Sequence, residues 1–105
     1  MLRIYTTVID FIRSASPIIA QIGRHDRDLT RQFRRASVSV ALNLAEGQSL
    51  RGGSRRLRYL TALGSATEVR ACLDVAEALG YIQNLSPNIV DDLNKIQATL
   101  YKLSR

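Results

Sequence analysis

Between Gln32 and Gly47 the chain carries two helical stripes side by side, one apolar and one polar. Residues spaced by three and four share one face of an α-helix. Leu29, Phe33, Ala36, Val40 and Leu44 therefore form an apolar row suited to the core of a helix bundle. Directly beside it run Gln32, Arg35, Ser39, Asn43 and Glu46. A helix that only covers a core carries its charges opposite the apolar face. Polar groups that flank that face lie at the boundary with a neighbouring helix or subunit, where they need partners. Counting back equally from a turn at Gly47 to Ser54 sets Arg35, or Arg34, level with Glu68, so the spacing predicts an ion pair between the second and third helices.

The other apolar rows follow the same rule. Tyr5, Val8, Ile12, Ala15, Ile19 and Ile22 mark a first helix whose phase survives Pro17 and stops at Gly23. Asp26 or Asp28 is placed to cap the second helix, and Gly47 to end it. Ser54 is the expected cap of a third helix with the small-residue row Tyr59, Ala62, Ala66, Val69, Leu73 and Ala76, closed by Gly80. Ser86-Pro87 opens a fourth, with Ile89, Leu93, Ile96, Leu100 and Leu103. Helices at about 2–22, 28–46, 54–79 and 87–103, joined by short connectors, predict a single all-α domain over 1–105, an antiparallel up-and-down four-helix bundle. Val38, Leu42 and Val75 fall off these core rows, which predicts apolar patches covered by homo-oligomerisation.

Gln32, Arg35, Ala36, Ser39, Asn43, Glu46 and Gly47, followed by Gly64-Ser65, Glu68 and Leu79-Gly80-Tyr81, resemble the four helix bundle proteins, also called 23S ribosomal RNA intervening-sequence proteins. The Asn-x-Ala-Glu-Gly run at Asn43 to Gly47 is the most specific part of this likeness. The resemblance implies an up-and-down bundle assembled into a ring-shaped homopentamer, without known enzymatic activity. Through a more distant relative, the accessory protein of diversity-generating retroelements, it also implies binding to nucleic acid and to a reverse transcriptase. Cys72 stands where the family usually has a polar residue.

At 105 residues there is room for one core and none for a separate catalytic domain. No apolar run approaches the ~20 residues of a membrane helix. The N-terminal Met-Leu-Arg-Ile-Tyr lacks the features of a signal peptide, and one cysteine makes no internal disulfide, so the expectation is a cytoplasmic protein. No cofactor or metal is expected: Cys72 has no second cysteine or ligand cluster and reads as a small buried apolar residue. His25 has no local nucleophile and reads as a solvated connector residue. Asp91 and Asp92, adjacent in sequence, diverge on a helix rather than face each other, so enzymatic activity is not expected.

Charge placement carries the functional expectation. The net charge is +6, supplied mostly by arginine, whose planar fork bonds two phosphate oxygens at once. In an up-and-down bundle the start of the first helix, the second connector region and the end of the fourth helix share one pole. That pole collects Arg3, Arg51, Arg55, Arg56, Arg58, Lys102 and Arg105, and no acid occurs from Gly47 to Thr67. Arg55, Arg56 and Arg58 near a helix start oppose the helix dipole, at ~0.3–1 kcal/mol each, and stability alone does not account for them. The opposite pole, with Arg24, Arg27 and Arg31 against Asp26, Asp28, Glu77, Asp91 and Asp92, is expected to be close to neutral. The resulting expectation is a non-enzymatic homo-oligomer that binds nucleic acid, RNA above all, through phosphate at this basic pole. The alternative is a scaffold docking an acidic protein such as a reverse transcriptase.

Overall fold

The computed structural model describes residues 2–105 and folds them into four helices: α1 (Arg3–Gly23), α2 (Arg27–Gln48), α3 (Gly52–Ala78) and α4 (Pro87–Leu103). The starts of α2 and α4 have side-chain caps. The Asp26 carboxylate accepts from the Leu29 amide at 2.9 Å and opens α2; the Ser86 hydroxyl accepts from the Asn88 amide ahead of α4, with Pro87 in its first turn. At the end of α3, Gly80 takes the left-handed conformation (φ 75°), the Tyr81 amide donates to Ala76 O and the Gly80 amide to Glu77 O. This pairing satisfies the last carbonyls of the helix.

Two expected boundaries fall differently. The second helix continues through Gly47 to Gln48, and the third starts at Gly52 rather than after a Ser54 cap. Arg51 is the N-cap residue and makes no side-chain cap bond; Gly52, at φ 57°, supplies the backbone turn instead. Gly47 is buried inside α2, where a Cβ would lie 2.6 Å from Tyr59 Cε1. Its role is close approach to α3, not helix termination.

α1 packs on α2 and α4, and α3 packs on α2 and α4, so the four helices close a ring with α2 and α3 the most extensively apposed. The small residues Ala36, Ala62 and Ala66, all buried, let that pair come close. The molecule measures 42 × 25 × 19 Å, its long axis matching the ~40 Å of a 27-residue helix. The expected core rows of α2 and α3 are buried throughout, as is the α4 row from Ile89 to Leu100, with Leu103 half-buried. In α1 the seam is Ile4, Val8, Phe11, Ala15, Ile19 and Ile22; Tyr5 and Ile12 are only half-buried. Both phases are apolar near the N-terminus, and packing selects the one that buries the Phe11 ring. α1 runs through Pro17 as one helix.

His25 is exposed, as expected of a connector, but it is not free: its ring stacks on Tyr81, centroids 5.0 Å apart and planes 4° apart. Cys72 is buried, and burial pushes its thiol up from the usual range, with the Glu68 carboxylate adding to the effect and Arg35 opposing it. Near the middle of the bundle Ser37 is also buried, and its hydroxyl has no partner among the described residues.

Candidate nucleic-acid interface

The polar row of α2 meets α3 along a continuous seam that ends at the basic pole. Arg35 donates from Nη2 to Glu68 Oε2 at 2.8 Å, while Arg34 is exposed. The Arg35 and Glu68 side chains are 69% and 40% exposed, so the pair adds at most ~1 kcal/mol and serves mainly to set register. Farther down, the Ser39 and Ser65 hydroxyls are 2.7 Å apart, and Asn43 Nδ2 donates to both Ser39 O (2.9 Å) and Ser39 Oγ (3.0 Å). Arg58 then reaches across, with Nη1 3.4 Å from Asn43 Oδ1 and Nη2 3.4 Å from Glu46 Oε1. Gln32, at the far end, is exposed and lies outside these contacts.

At the pole itself the arginines divide into two groups. Arg55 donates from Nε to Gly47 O and from Nη2 to Gln48 O, both at 3.1 Å, which satisfies the last carbonyls of α2 and places a cation at the negative end of that helix. Arg55 and Arg58 thus have structural work, and stability accounts for them where the sequence suggested it did not. Arg51 and Arg56 are exposed and make no ion pair or side-chain hydrogen bond among the described residues. The start of α3 has no acid in its first turn.

The remaining basic residues come from the expected elements. Arg3 begins α1 and borders a shallow groove with Lys95 and Thr99. Lys102 lies in the last turn of α4, where the helix dipole favours it, and Arg105 rests over the Tyr101 ring, 5.5 Å from its centroid. The Leu2 amide donates to Gln48 Oε1 at 3.3 Å, joining the start of α1 to the end of α2. Gln48 Nε2 is buried without a partner among the described residues, beside a pocket lined by Leu2, Arg55 and Tyr59. Among the described residues no group of three or more His, Cys, Asp or Glu is placed to hold a metal, and no helix is long and apolar enough to cross a membrane.

Sequence reasoning missed several contacts. Arg70 of α3 donates from Nε to Gln97 Oε1 at 2.7 Å and also bonds Asn94, tying α3 to α4. The signal was present: Asn94 and Gln97 share one face of α4. Arg55 gave no such signal, since its acceptors are backbone carbonyls.

The model of the family described as 23S rRNA-intervening sequence protein matches residues 2–102. The chain belongs to that family. A crystal structure of a protein of unknown function from the S23 ribosomal protein family of Bacteroides thetaiotaomicron VPI-5482 has the same fold, with a TM-score of 0.84 at 16% identity over 97% of this chain and 98% of that one. No curated protein matches. In this chain the Asn-x-Ala-Glu-Gly run has a physical reading. Asn43 and Glu46 both engage Arg58, and Gly47 admits the Tyr59 ring, so the run is the docking surface for the first turns of α3.

Proposed function

We propose that this chain is a non-enzymatic, homo-oligomeric RNA-binding module that grips phosphates through the pole formed by the α2–α3 connection and the outer ends of α1 and α4. The observation that carries the reading is that Arg51 and Arg56 are exposed and unpaired among the described residues at the positive end of α3. Two cations placed against a helix dipole with no acid to hold them cost stability, and an anionic ligand offsets that cost. The pentamer expected of the family would repeat the pair around a symmetry axis and multiply weak contacts. Contacts to phosphate carry little sequence information, so the module would bind many RNA sequences alike. A buried Cys72 thiol with its pKa pushed up is unsuited to nucleophilic chemistry, in keeping with the non-enzymatic reading.

Arg51→Gln with Arg56→Gln tests this without touching the α2–α3 junction. The double variant should melt like the wild type by circular dichroism and bind a mixed-sequence RNA at least tenfold more weakly, about 1.4 kcal/mol. The slope of log affinity against log salt should fall by about 1–2 units. Equal affinity and slope for both proteins would reduce the pole to a solvated end. Binding of an acidic polypeptide but not of RNA would move the reading to a protein scaffold, with a reverse transcriptase the first partner to try.

A further inference from the structure

Where the start of α1 meets the end of α2, the basic pole holds a pocket as well as exposed arginines. Leu2, Gln48, Arg55 and Tyr59 line it, and it opens to about 270 Å³. Small-molecule sites run from ~300 to ~1,000 Å³, so this one suits a single small group. What its walls leave unsatisfied is donors. Gln48 Nε2 is buried with no partner among the described residues, while Gln48 Oε1 accepts from the Leu2 amide at 3.3 Å and so orients the side chain. Tyr59 is only 3% exposed, and its hydroxyl makes no hydrogen bond to a described residue. Arg55 is held by its Nε and Nη2 bonds to Gly47 O and Gln48 O, which leaves Nη1 uncommitted. Unpaired buried donors are costly, and a native structure keeps them where something else satisfies them.

The surrounding field has one sign. α1 begins behind Leu2 with no side-chain cap and no acid in its first turn, and α3 begins behind Arg51 in the same way, so two positive helix ends lie at this pole. No acid lines the pocket. Glu46, two residues before Gln48, is drawn to Arg58, its Oε1 3.4 Å from Nη2. Three spare donors in a positive field select an oxyanion, and a phosphate group has enough terminal oxygens to use all three at once.

The geometry points to a phosphate subsite in which Arg55 Nη1, the Gln48 side-chain amide and the Tyr59 hydroxyl donate to one phosphate group. It deepens the function proposed for this pole and rests on that reading for its RNA: Arg51 and Arg56 attract the strand, and the pocket holds one of its phosphates at a fixed point. The same donors suit a free phosphate ion, and the experiment separates the two sources.

Two near-isosteric variants each remove a donor and keep the walls. Tyr59→Phe retains the ring that packs on Gly47 and loses only the hydroxyl. Gln48→Glu retains the acceptor for the Leu2 amide and puts an anionic oxygen in place of Nε2. In thermal melts at equal ionic strength, inorganic phosphate in place of chloride should raise the melting temperature of the wild type by more than that of either variant. The general effect of phosphate on protein hydration is common to all three proteins and cancels. In fluorescence anisotropy with a labelled mixed-sequence 12-nucleotide RNA, Tyr59→Phe should bind about tenfold more weakly with an unchanged salt slope, since no charge is lost. Arg51→Gln/Arg56→Gln, measured alongside, should instead lower the slope. If Tyr59→Phe melts well below the wild type in chloride, Gln48→Glu carries the comparison alone. An equal phosphate response in the wild type and the variants overturns the pocket and leaves the pole to be judged by the arginine variant. A phosphate response lost in the pocket variants, with RNA affinity unchanged in them and in the arginine variant, keeps the pocket as a site for free phosphate and sinks the RNA reading.

Discussion

Gly47 shows at the scale of one residue how a tertiary contact can imitate a local signal. A helix-ending glycine at positive φ would resist alanine, but Gly47 has no positive φ and lies inside α2, where alanine by itself would gain about 1 kcal/mol of helix propensity. The structure sets the opposite sign. A Cβ there would lie 2.6 Å and 3.0 Å from Tyr59 Cε1 and Cδ1 and 3.3 Å from Arg58 Cβ, and the Tyr59 ring is only 3% exposed, so it has nowhere to swing. Overpacking of this kind costs about 1–3 kcal/mol, which exceeds the propensity gain. Gly47→Ala should therefore lower the melting temperature by several degrees in a circular-dichroism scan. A melting temperature equal to or above wild type would show that α3 can move aside. A sequence pattern cannot distinguish the two readings of Gly47, because the atoms that decide the matter come from a different helix.

Among the elements, what was legible depended on whether the cause was periodic. The core rows of α2, α3 and α4 and the caps at Asp26, Ser86 and Gly80 follow from spacing and cap chemistry, and the helices form there. The α1 seam was read one residue off toward its N-terminus, since Ile4, Tyr5, Phe11 and Ile12 offer two apolar phases and only packing separates them. The polar row of α2 was visible as needing partners, but the division of labour among the arginines it leads to was not. Arg55 holds two carbonyls of α2 while Arg56, its neighbour in sequence, holds nothing among the described residues. Arg55→Gln should accordingly lower the free energy of urea unfolding by about 1 kcal/mol through the loss of two hydrogen bonds from a charged donor, although Gly47 O keeps the Leu50 amide. Arg56→Gln should leave it unchanged or raise it slightly by removing a cation from a helix start. Equal effects of the two substitutions would mean that the Arg55 contacts add nothing to the junction.

For the molecule as a whole, the telling quantity is the apolar surface left uncovered. Val38 and Leu42 on α2 are 48% and 62% exposed, and α3 adds Leu57, Leu60, Val75 and Leu79, each at least 45% exposed. The α3 residues lie on the side away from its buried row, in pairs at its two ends with Gly64, Glu68 and Ala71 between them on that side. Exposed large apolar side chains on two adjoining helices make the kind of surface that self-association covers. Helix edges within the monomer do not cover Val38, Leu42 or Val75. We therefore expect light scattering to give a mass several times the 11.7 kDa of the chain. Leu42→Glu with Leu60→Glu should bring that mass down to one chain while leaving the helical circular-dichroism signal intact, because both side chains already face solvent in the single chain. An assembly that survives both charges would place its contacts elsewhere, and a wild type that scatters as a single chain would remove the ring, and with it the repeated phosphate grip at the α2–α3 pole.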